Sequence, residues 1–202
     1  MTIELRESPS AERNKAVILE KLESLLSSES KIFEIGSGTG QHADFFSDKQ
    51  SSWYWQASDL EVEERDLLKR IKSRDRKNLP SPIVFDVHDE LSPKLKNQFD
   101  VVYTANTLHI MPENGVEAFF SKAQDLLKGN GQIVIYGPFF FEDIETAPSN
   151  LAFSERLASE IPGAGIRKFK KIQAWAESSK FTFESRISMP ANNFILQFKL
   201  QN

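Results

Sequence analysis

Two carboxylates and three glycines are the residues of this chain whose types and spacing could do chemistry. Glu34 stands in a short apolar run, and Gly36, Gly38 and Gly40 follow it at every second position. Glycines allow a sharp turn and let the backbone pass close to a ligand. Asp59 comes about twenty residues after Gly40, the spacing at which a carboxylate accepts hydrogen bonds from a ribose diol. The pattern predicts a site for an adenosine-type cofactor.

The elements that must position these residues are short buried strands. Apolar runs at 32–35 and 53–57 predict the first two strands, with the glycine turn and a helix between them. A third run at 83–85 ends at Asp86. Because ligands of open parallel sheets lie beyond the carboxyl ends of the strands, we expect the acidic residues of these three strands to face one crevice.

The residue types around the turn distinguish between adenosine cofactors. Dinucleotide sites use G-x-G-x-x-G, and Gln41 occupies the position of its third glycine here. Glu34 places a negative charge beside the turn, which would repel phosphates and suit a cation. An NAD site is therefore the less favoured alternative, and a tight turn without any ligand is a further one.

Composition bounds the class of protein. The 202 residues are 40% hydrophobic and suffice for one domain with a sizeable core. The absence of cysteine excludes disulfides, thiolate metal sites and a cysteine nucleophile. No apolar run reaches 18 residues, and residues 1–7 carry charges where a signal peptide needs an apolar core. We therefore expect a cytoplasmic protein without a membrane partner.

The net charge of -4 argues against binding to a phosphate backbone as the main task. We expect no nucleic-acid partner and favour a small molecule. The sequence contains no signal for an oligomeric state. His42 and His88 stand singly, without the spacing of metal ligands, so no metal site is predicted.

The remaining chain alternates between helical and strand patterns. A helix is predicted to begin at Ser8–Pro9. Three polar residues lie near its start, Arg13, Asn14 and Lys15, and either one of them lines the cofactor pocket or this part of the helix is solvated. Further patterns indicate a strand at 99–105, a helix at 112–127 stopped by Gly129 to Gly131, a strand at 132–136, a helix at 166–179 and two alternating strands at 181–188 and 194–200.

The segment 139–165 is too long for a plain connection. It predicts either a substrate lid or aromatic residues that pack under a surface loop. The cations that follow, Arg167, Lys168, Lys170 and Lys171, are interpreted as solvated rather than as a nucleic-acid surface.

Residues 34–40 match E-x-G-x-G-x-G at every fixed position and so resemble motif I of the class I S-adenosylmethionine-dependent methyltransferases. The resemblance implies a three-layer, Rossmann-like α/β fold. Its seven-stranded, mostly parallel sheet would have the order 3-2-1-4-5-7-6, with the seventh strand antiparallel. It implies one domain over residues 1–202, with an N-terminal helix within residues 1–30.

Other segments narrow the resemblance to a small methyltransferase-like family found in bacteria and animals, whose acceptor is unassigned. They are residues 8–15, 38–43, 56–60, 147–150 and 189–193. The family implies S-adenosylmethionine as the cofactor. The residues that would hold it are Asn14, Lys15, Glu34, Gly36, Ser37, Gly38, Gly40, Gln41, His42, Asp59, Leu60, Asp86, Val87 and Asn106. Asp86 or its neighbour would hold the adenine amino group.

Methyl transfer from a sulfonium is an in-line displacement that needs few catalytic side chains. If the acceptor must lose a proton, His109 and Tyr136 are the candidate bases near strands four and five. His109 could instead pack at an apolar helix start.

Residues 106–109 lack the Asn-Pro-Pro-Tyr tetrad of amino-methylating enzymes, which favours a small-molecule acceptor. The alternative is a catalytically silent cofactor-binding protein that acts through a partner.

Overall fold

The computed structural model describes residues 5–201, so the N-terminal charge pattern at residues 1–7 lies partly outside the described residues. The chain divides into two compact units. The first runs up to Asp86 and includes Phe99–Tyr103, and the second comprises Val87–Gln98 and the chain from Thr104 onward. The assignment of residues 1–202 to a single domain stays a prediction.

The first unit alternates helices with parallel strands. Its elements are α1 (Pro9–Leu25), β1 (Lys31–Ile35), α2 (Gln41–Lys49), β2 (Tyr54–Asp59), α3 (Leu67–Lys72) and β3 (Ile83–Val84). The predicted N-terminal helix is confirmed, and the Ser8 side chain caps it by accepting the N–H of Ala11. Its apolar stripe is buried at Ile18 and Leu22.

The glycine turn lies where β1 ends. β1 pairs in parallel with β2 on one side and with β4 (Phe99–Ala105) on the other. Asp59, the last residue of β2, pairs with Val84 of β3. An aromatic cluster supports these strands, since Trp55 contacts both Phe46 and Tyr103 edge to face.

The second unit contains the C-terminal strands and three helices. Its elements are α4 (Glu113–Leu126), β5 (Leu127–Gly137), β6 (Phe139–Phe140), α5 (Pro148–Glu160), β7 (Arg167–Lys168), α6 (Phe169–Ser178), β8 (Phe181–Met189) and β9 (Asn193–Leu200). β9 runs antiparallel to both β5 and β8. Phe120 packs against Phe181 and Phe198 in the core of this unit.

The main sheet has the order β3-β2-β1-β4-β5-β9-β8, while β6 and β7 form a separate two-stranded sheet. Within the main sheet, β8 and β9 are the sixth and seventh strands. The predicted α/β fold and the order 3-2-1-4-5-7-6 are therefore confirmed.

One segment differs from the sequence prediction. The chain at 129–131 does not form a loop after α4, because β5 already begins at Leu127. Gly131 is needed there for packing, since a Cβ at this position would lie 2.8 Å from Cδ2 of Leu127. The segment 139–165 contains β6 and α5, and its role as a substrate lid stays a prediction. None of the helices within residues 5–201 is both long and apolar enough to cross a membrane.

Candidate functional site

The three glycines of the turn have positive φ angles, +77° at Gly36, +56° at Gly38 and +77° at Gly40. Their surroundings differ. A Cβ at Gly40 would lie 2.6 Å from Cδ1 of Leu67, so this glycine allows α3 to pack closely. A Cβ at Gly38 would meet no atom within 4 Å. Gly38 thus borders open space that a ligand can enter.

Asp59 is buried and is bound to the turn. Its Oδ2 accepts the backbone N–H of Gly38 at 2.8 Å, and its Oδ1 accepts the N–H of Glu61 at 3.2 Å. The Nε of Arg65 lies 3.6 Å from Oδ1. These contacts hold the carboxylate at the end of β2, beside the open side of Gly38.

Glu34 reaches the same turn from the interior. Its Oε2 accepts hydrogen bonds from Ser37 Oγ at 2.8 Å and from Trp55 Nε1 at 2.9 Å. Burial and, less strongly, the charge of Asp59 raise the pKa of Glu34 to about 7, because together they outweigh these hydrogen bonds.

The start of α1 is tied to the turn through Gln41. Its Oε1 accepts hydrogen bonds from the N–H of Ser8 and from Thr39 Oγ1, and its Nε2 donates to Glu12. Gln41, which occupies the position of the third glycine of dinucleotide-binding motifs, therefore binds the start of α1. Lys15 pairs with Glu12 as well.

His42 and Asn14 form a buried pair between α2 and α1, with 2.7 Å between His42 Nε2 and Asn14 Oδ1. Burial and, less strongly, the charge of Lys15 lower the pKa of His42 to about 4. The ring is therefore neutral at pH 7. Sequence reasoning named both residues but could not detect that they contact each other.

Two residues next to Asp59, one in the sequence and one across the sheet, have exposed apolar side chains. Leu60 is 59% exposed and Val84 is 67% exposed. Since Val84 pairs with Asp59 across β2 and β3, both side chains belong to the edge where the cofactor is predicted. The sequence analysis missed Val84, although its place at the end of the third apolar run was a usable signal. Asp86 follows Phe85, whose N–H donates to the Asp59 carbonyl at 3.1 Å.

The other predicted residues belong to the second unit. Val87 and Tyr136 are buried. Asn106 has a left-handed φ of +56° directly after β4, and its N–H donates to the Tyr136 carbonyl at 2.9 Å. The structure thus brings Asn106 and Tyr136 together through the backbone.

His109 is buried, with its ring edge to face against Phe153 at 5.4 Å. Its carbonyl accepts the N–H of Gly165 at 2.8 Å. Burial and, less strongly, the Arg167 guanidinium lower the pKa of His109 to about 4. The ring is therefore neutral at pH 7.

The interpretation of Arg167 as a solvated cation is wrong. Arg167 is buried, and its guanidinium donates to three backbone carbonyls, those of Leu108, Met111 and Gly163. It fixes the turn that contains His109. The only sequence signal for the burial of Arg167 was its position directly after Ile166, which follows the Gly163–Gly165 segment.

Within residues 5–201, no three His, Cys, Asp or Glu side chains are arranged to hold a metal ion.

A mostly parallel sheet of this order, with a glycine turn after its first strand and a carboxylate at the end of its second, matches the Rossmann-like methyltransferase fold. The chain belongs to the family described as "Protein of unknown function (DUF938)", whose model matches residues 5–200.

Solved methyltransferase structures have a similar fold. The S-adenosylmethionine-dependent methyltransferase SibL aligns with a TM-score of 0.78 at 16% identity, over 96% of this chain and 56% of that chain. A putative O-methyltransferase from Nostoc punctiforme gives 0.78 at 16% identity, over 95% and 57%. Human N-acetylserotonin methyltransferase in complex with SAM gives 0.76 at 14% identity, over 96% and 53%. The chain spans little more than half the length of these proteins.

Proposed function

We propose that the protein is an S-adenosylmethionine-dependent methyltransferase that acts on a small-molecule acceptor. One observation carries the proposal: Gly38 borders open space and donates its N–H to the buried carboxylate of Asp59. The similar fold of methyltransferases, including structures determined with SAM or SAH, supports the proposal.

The chain's residues fit this cofactor. Asp59 retains acceptor capacity for the ribose hydroxyls, because each carboxylate oxygen can accept about two hydrogen bonds. Leu60 and Val84 offer exposed apolar surface for an adenine ring, and Asp86 is proposed to accept its amino group. When bound, the cofactor supplies a methyl group on a sulfonium, which makes it a good donor.

The glycine turn would hold the amino-acid part of the cofactor. The N–H groups of Gly36 and Ser37 donate to the Ser58 carbonyl and that of Gly38 donates to Asp59, so the cofactor would contact the turn at the open side of Gly38. A cationic group of the cofactor near Glu34 would favour the ionised form of that carboxyl, whose pKa is raised to about 7. Gln41, His42 and Asn14 fix the turn and the start of α1. Lys15, Val87 and Asn106 stay proposed contacts.

His109 is the proposed base for an acceptor that must lose a proton. Its ring is neutral at physiological pH and so carries the unprotonated nitrogen that a base requires, but its pKa of about 4 makes it a weak base. Tyr136, which is buried at the end of β5, is the second candidate.

The two alternatives are less well supported. A dinucleotide needs an open helix N-terminus for its pyrophosphate, whereas Gln41 at the first turn of α2 is hydrogen-bonded to Ser8, Thr39 and Glu12. A silent cofactor-binding protein has no acceptor, so transfer of a methyl group distinguishes it from the proposed enzyme.

Calorimetry tests the proposal. The demethylated cofactor, S-adenosylhomocysteine, should bind the wild-type protein at micromolar concentrations, and NAD should not. Transfer of a labelled methyl group to a fraction of a small-molecule extract would then support the enzyme over the silent binding protein. Binding of NAD alone would overturn the proposal.

A further inference from the structure

An open cavity lies beside the proposed cofactor site and wholly within the first unit. Its volume is about 700 Å³, which is in the range of ligand pockets. The residues that line it are Arg6, Thr39, Glu61, Glu64 and Arg65. Since Nε of Arg65 is also 3.6 Å from Oδ1 of Asp59, the cavity lies next to the carboxylate that is proposed to bind the ribose.

Residues 6–8, here called the strap, form one wall of this cavity through Arg6. Side chains of distant residues hold the backbone of the strap. The N–H of Arg6 donates to Oδ2 of Asp66 at 3.1 Å, and the N–H of Ser8 donates to Oε1 of Gln41. The strap is thus bound to the first residue of α2 and to the residue that precedes α3.

Arg70 joins the strap to the glycine turn. Its side chain is buried, its Nη2 donates to the Arg6 carbonyl, and its Nε donates to the Thr39 carbonyl, each at 2.8 Å. Thr39 directly follows Gly38, the glycine that borders open space. One guanidinium therefore holds both a wall of the cavity and the turn that is proposed to contact the cofactor.

The strap and its three anchors differ in burial. The anchors Gln41, Asp66 and Arg70 are buried, whereas two of the three strap residues are exposed and Ser8 is half-buried. A segment with few buried apolar contacts opens at a low free energy. The strap can therefore open while the buried side chains that bind it stay in place.

We propose that the strap closes the cofactor cavity and that Asp66 and Arg70 are the positioning residues that hold it closed. The inference rests on the proposed function, because the ligand behind the strap is the cofactor. Closure and opening of such segments control ligand release in many enzymes. The closed strap slows dissociation of the cofactor, and Arg70 couples its closure to the position of the glycine turn.

The test measures the dissociation rate of S-adenosylhomocysteine from the full-length protein by surface plasmon resonance. Arg6→Pro removes the N–H that Asp66 accepts, and Asp66→Gly removes the acceptor at a left-handed position that glycine tolerates. Each variant should raise the rate about tenfold, because a hydrogen bond to a carboxylate is lost. The double variant should be no faster than either single one, since both changes break the same bond.

Lys69→Met is the matched control. It breaks the ion pair of Lys69 with Oδ1 of the same Asp66 and leaves the bond to Arg6 in place, so the dissociation rate should not change. Arg70→Met should give the largest increase, because it releases the strap and the turn together. Urea unfolding of Arg6→Pro should match wild type, whereas a merely structural contact would lower stability and leave the rate unchanged.

The outcomes separate the strap from the proposed function. Wild-type dissociation rates in Arg6→Pro and Asp66→Gly, an equal effect of Lys69→Met, or additive effects in the double variant would overturn the role of the strap and leave the proposed function intact. If S-adenosylhomocysteine does not bind the wild-type protein, both are overturned.

Discussion

The backbone N–H of Gly38 donates to Oδ2 of Asp59 across 2.8 Å. This hydrogen bond joins the end of β2 to the turn after β1, so the carboxylate is oriented before any ligand arrives. The same aspartate accepts the N–H of Glu61. Substitution of Asp59 should therefore affect the turn as well as the proposed contact with the cofactor.

Asp59→Ala should weaken binding of S-adenosylhomocysteine by about 1–3 kcal/mol, because the ribose hydroxyls and the Gly38 N–H lose their acceptor. Calorimetry measures the loss. Glu29→Ala, at an exposed position before β1, is the control and should leave the affinity unchanged. Equal affinities of the Asp59→Ala and wild-type proteins would exclude Asp59 as the ribose ligand.

Gly38→Ala and Gly40→Ala should impair different properties, cofactor affinity in the first variant and stability in the second. At Gly38 the methyl group enters open space, so affinity for S-adenosylhomocysteine should fall while the free energy of unfolding drops by only about 1 kcal/mol from the positive φ. At Gly40 the methyl group collides with Leu67, so the loss of stability should be the larger one.

Urea unfolding and calorimetry on both variants check this prediction. A Gly38→Ala protein that binds normally would mean that the open side of the turn does not face the cofactor.

The sequence was sufficient to predict the seven strands of the main sheet, the glycine turn and the carboxylate at the end of the second strand, because apolar runs and glycines report local backbone preferences. It did not predict β6, β7 or α5. It was not sufficient for the contacts that hold the site. The hydrogen bond between His42 and Asn14 depends on how α1 packs against α2, and so does the hydrogen bond between Gln41 and Glu12. A hydrogen bond between distant residues leaves no periodic signal.

Arg167 illustrates the same limit. In sequence it begins a run rich in lysine, and such runs are usually solvated. Its burial follows from the turn at 108–111, whose carbonyls need a donor once they are removed from water. Only the fold places that turn beside β7.

The raised pKa of Glu34 predicts a pH-dependent stability. The buried carboxyl favours its protonated form, so its stabilising contribution is complete below the ordinary pKa of 4.5 and is lost as pH rises through about 7. Glu34→Gln lacks this dependence. The difference in unfolding free energy between wild type and Glu34→Gln should therefore change by roughly 2–3 kcal/mol between pH 5 and pH 8, with wild type relatively more stable at pH 5.

The comparison cancels the opposite contributions of His42 and His109, which both proteins share. Exposed Glu29→Gln serves as the control and should follow wild type at every pH. Parallel curves for wild type and Glu34→Gln would show that Glu34 does not titrate differently in the folded state.

Arg167→Met should destabilise the second unit by roughly 2–4 kcal/mol, because three backbone carbonyls lose a charged donor. The pKa of His109 should also rise, since the Arg167 charge is one cause of its low value. Chemical denaturation and an NMR titration of the histidine rings measure the two effects. Lys168→Met, at the exposed neighbouring position, should change neither.

The most direct test of the account is an amide NMR titration with S-adenosylhomocysteine. We predict shifts at Gly36, Gly38 and Gly40 and at the residues after Asp59, together with saturation at micromolar concentrations. An unchanged glycine turn, or a turn that responds to NAD and not to S-adenosylhomocysteine, would contradict the proposed cofactor site.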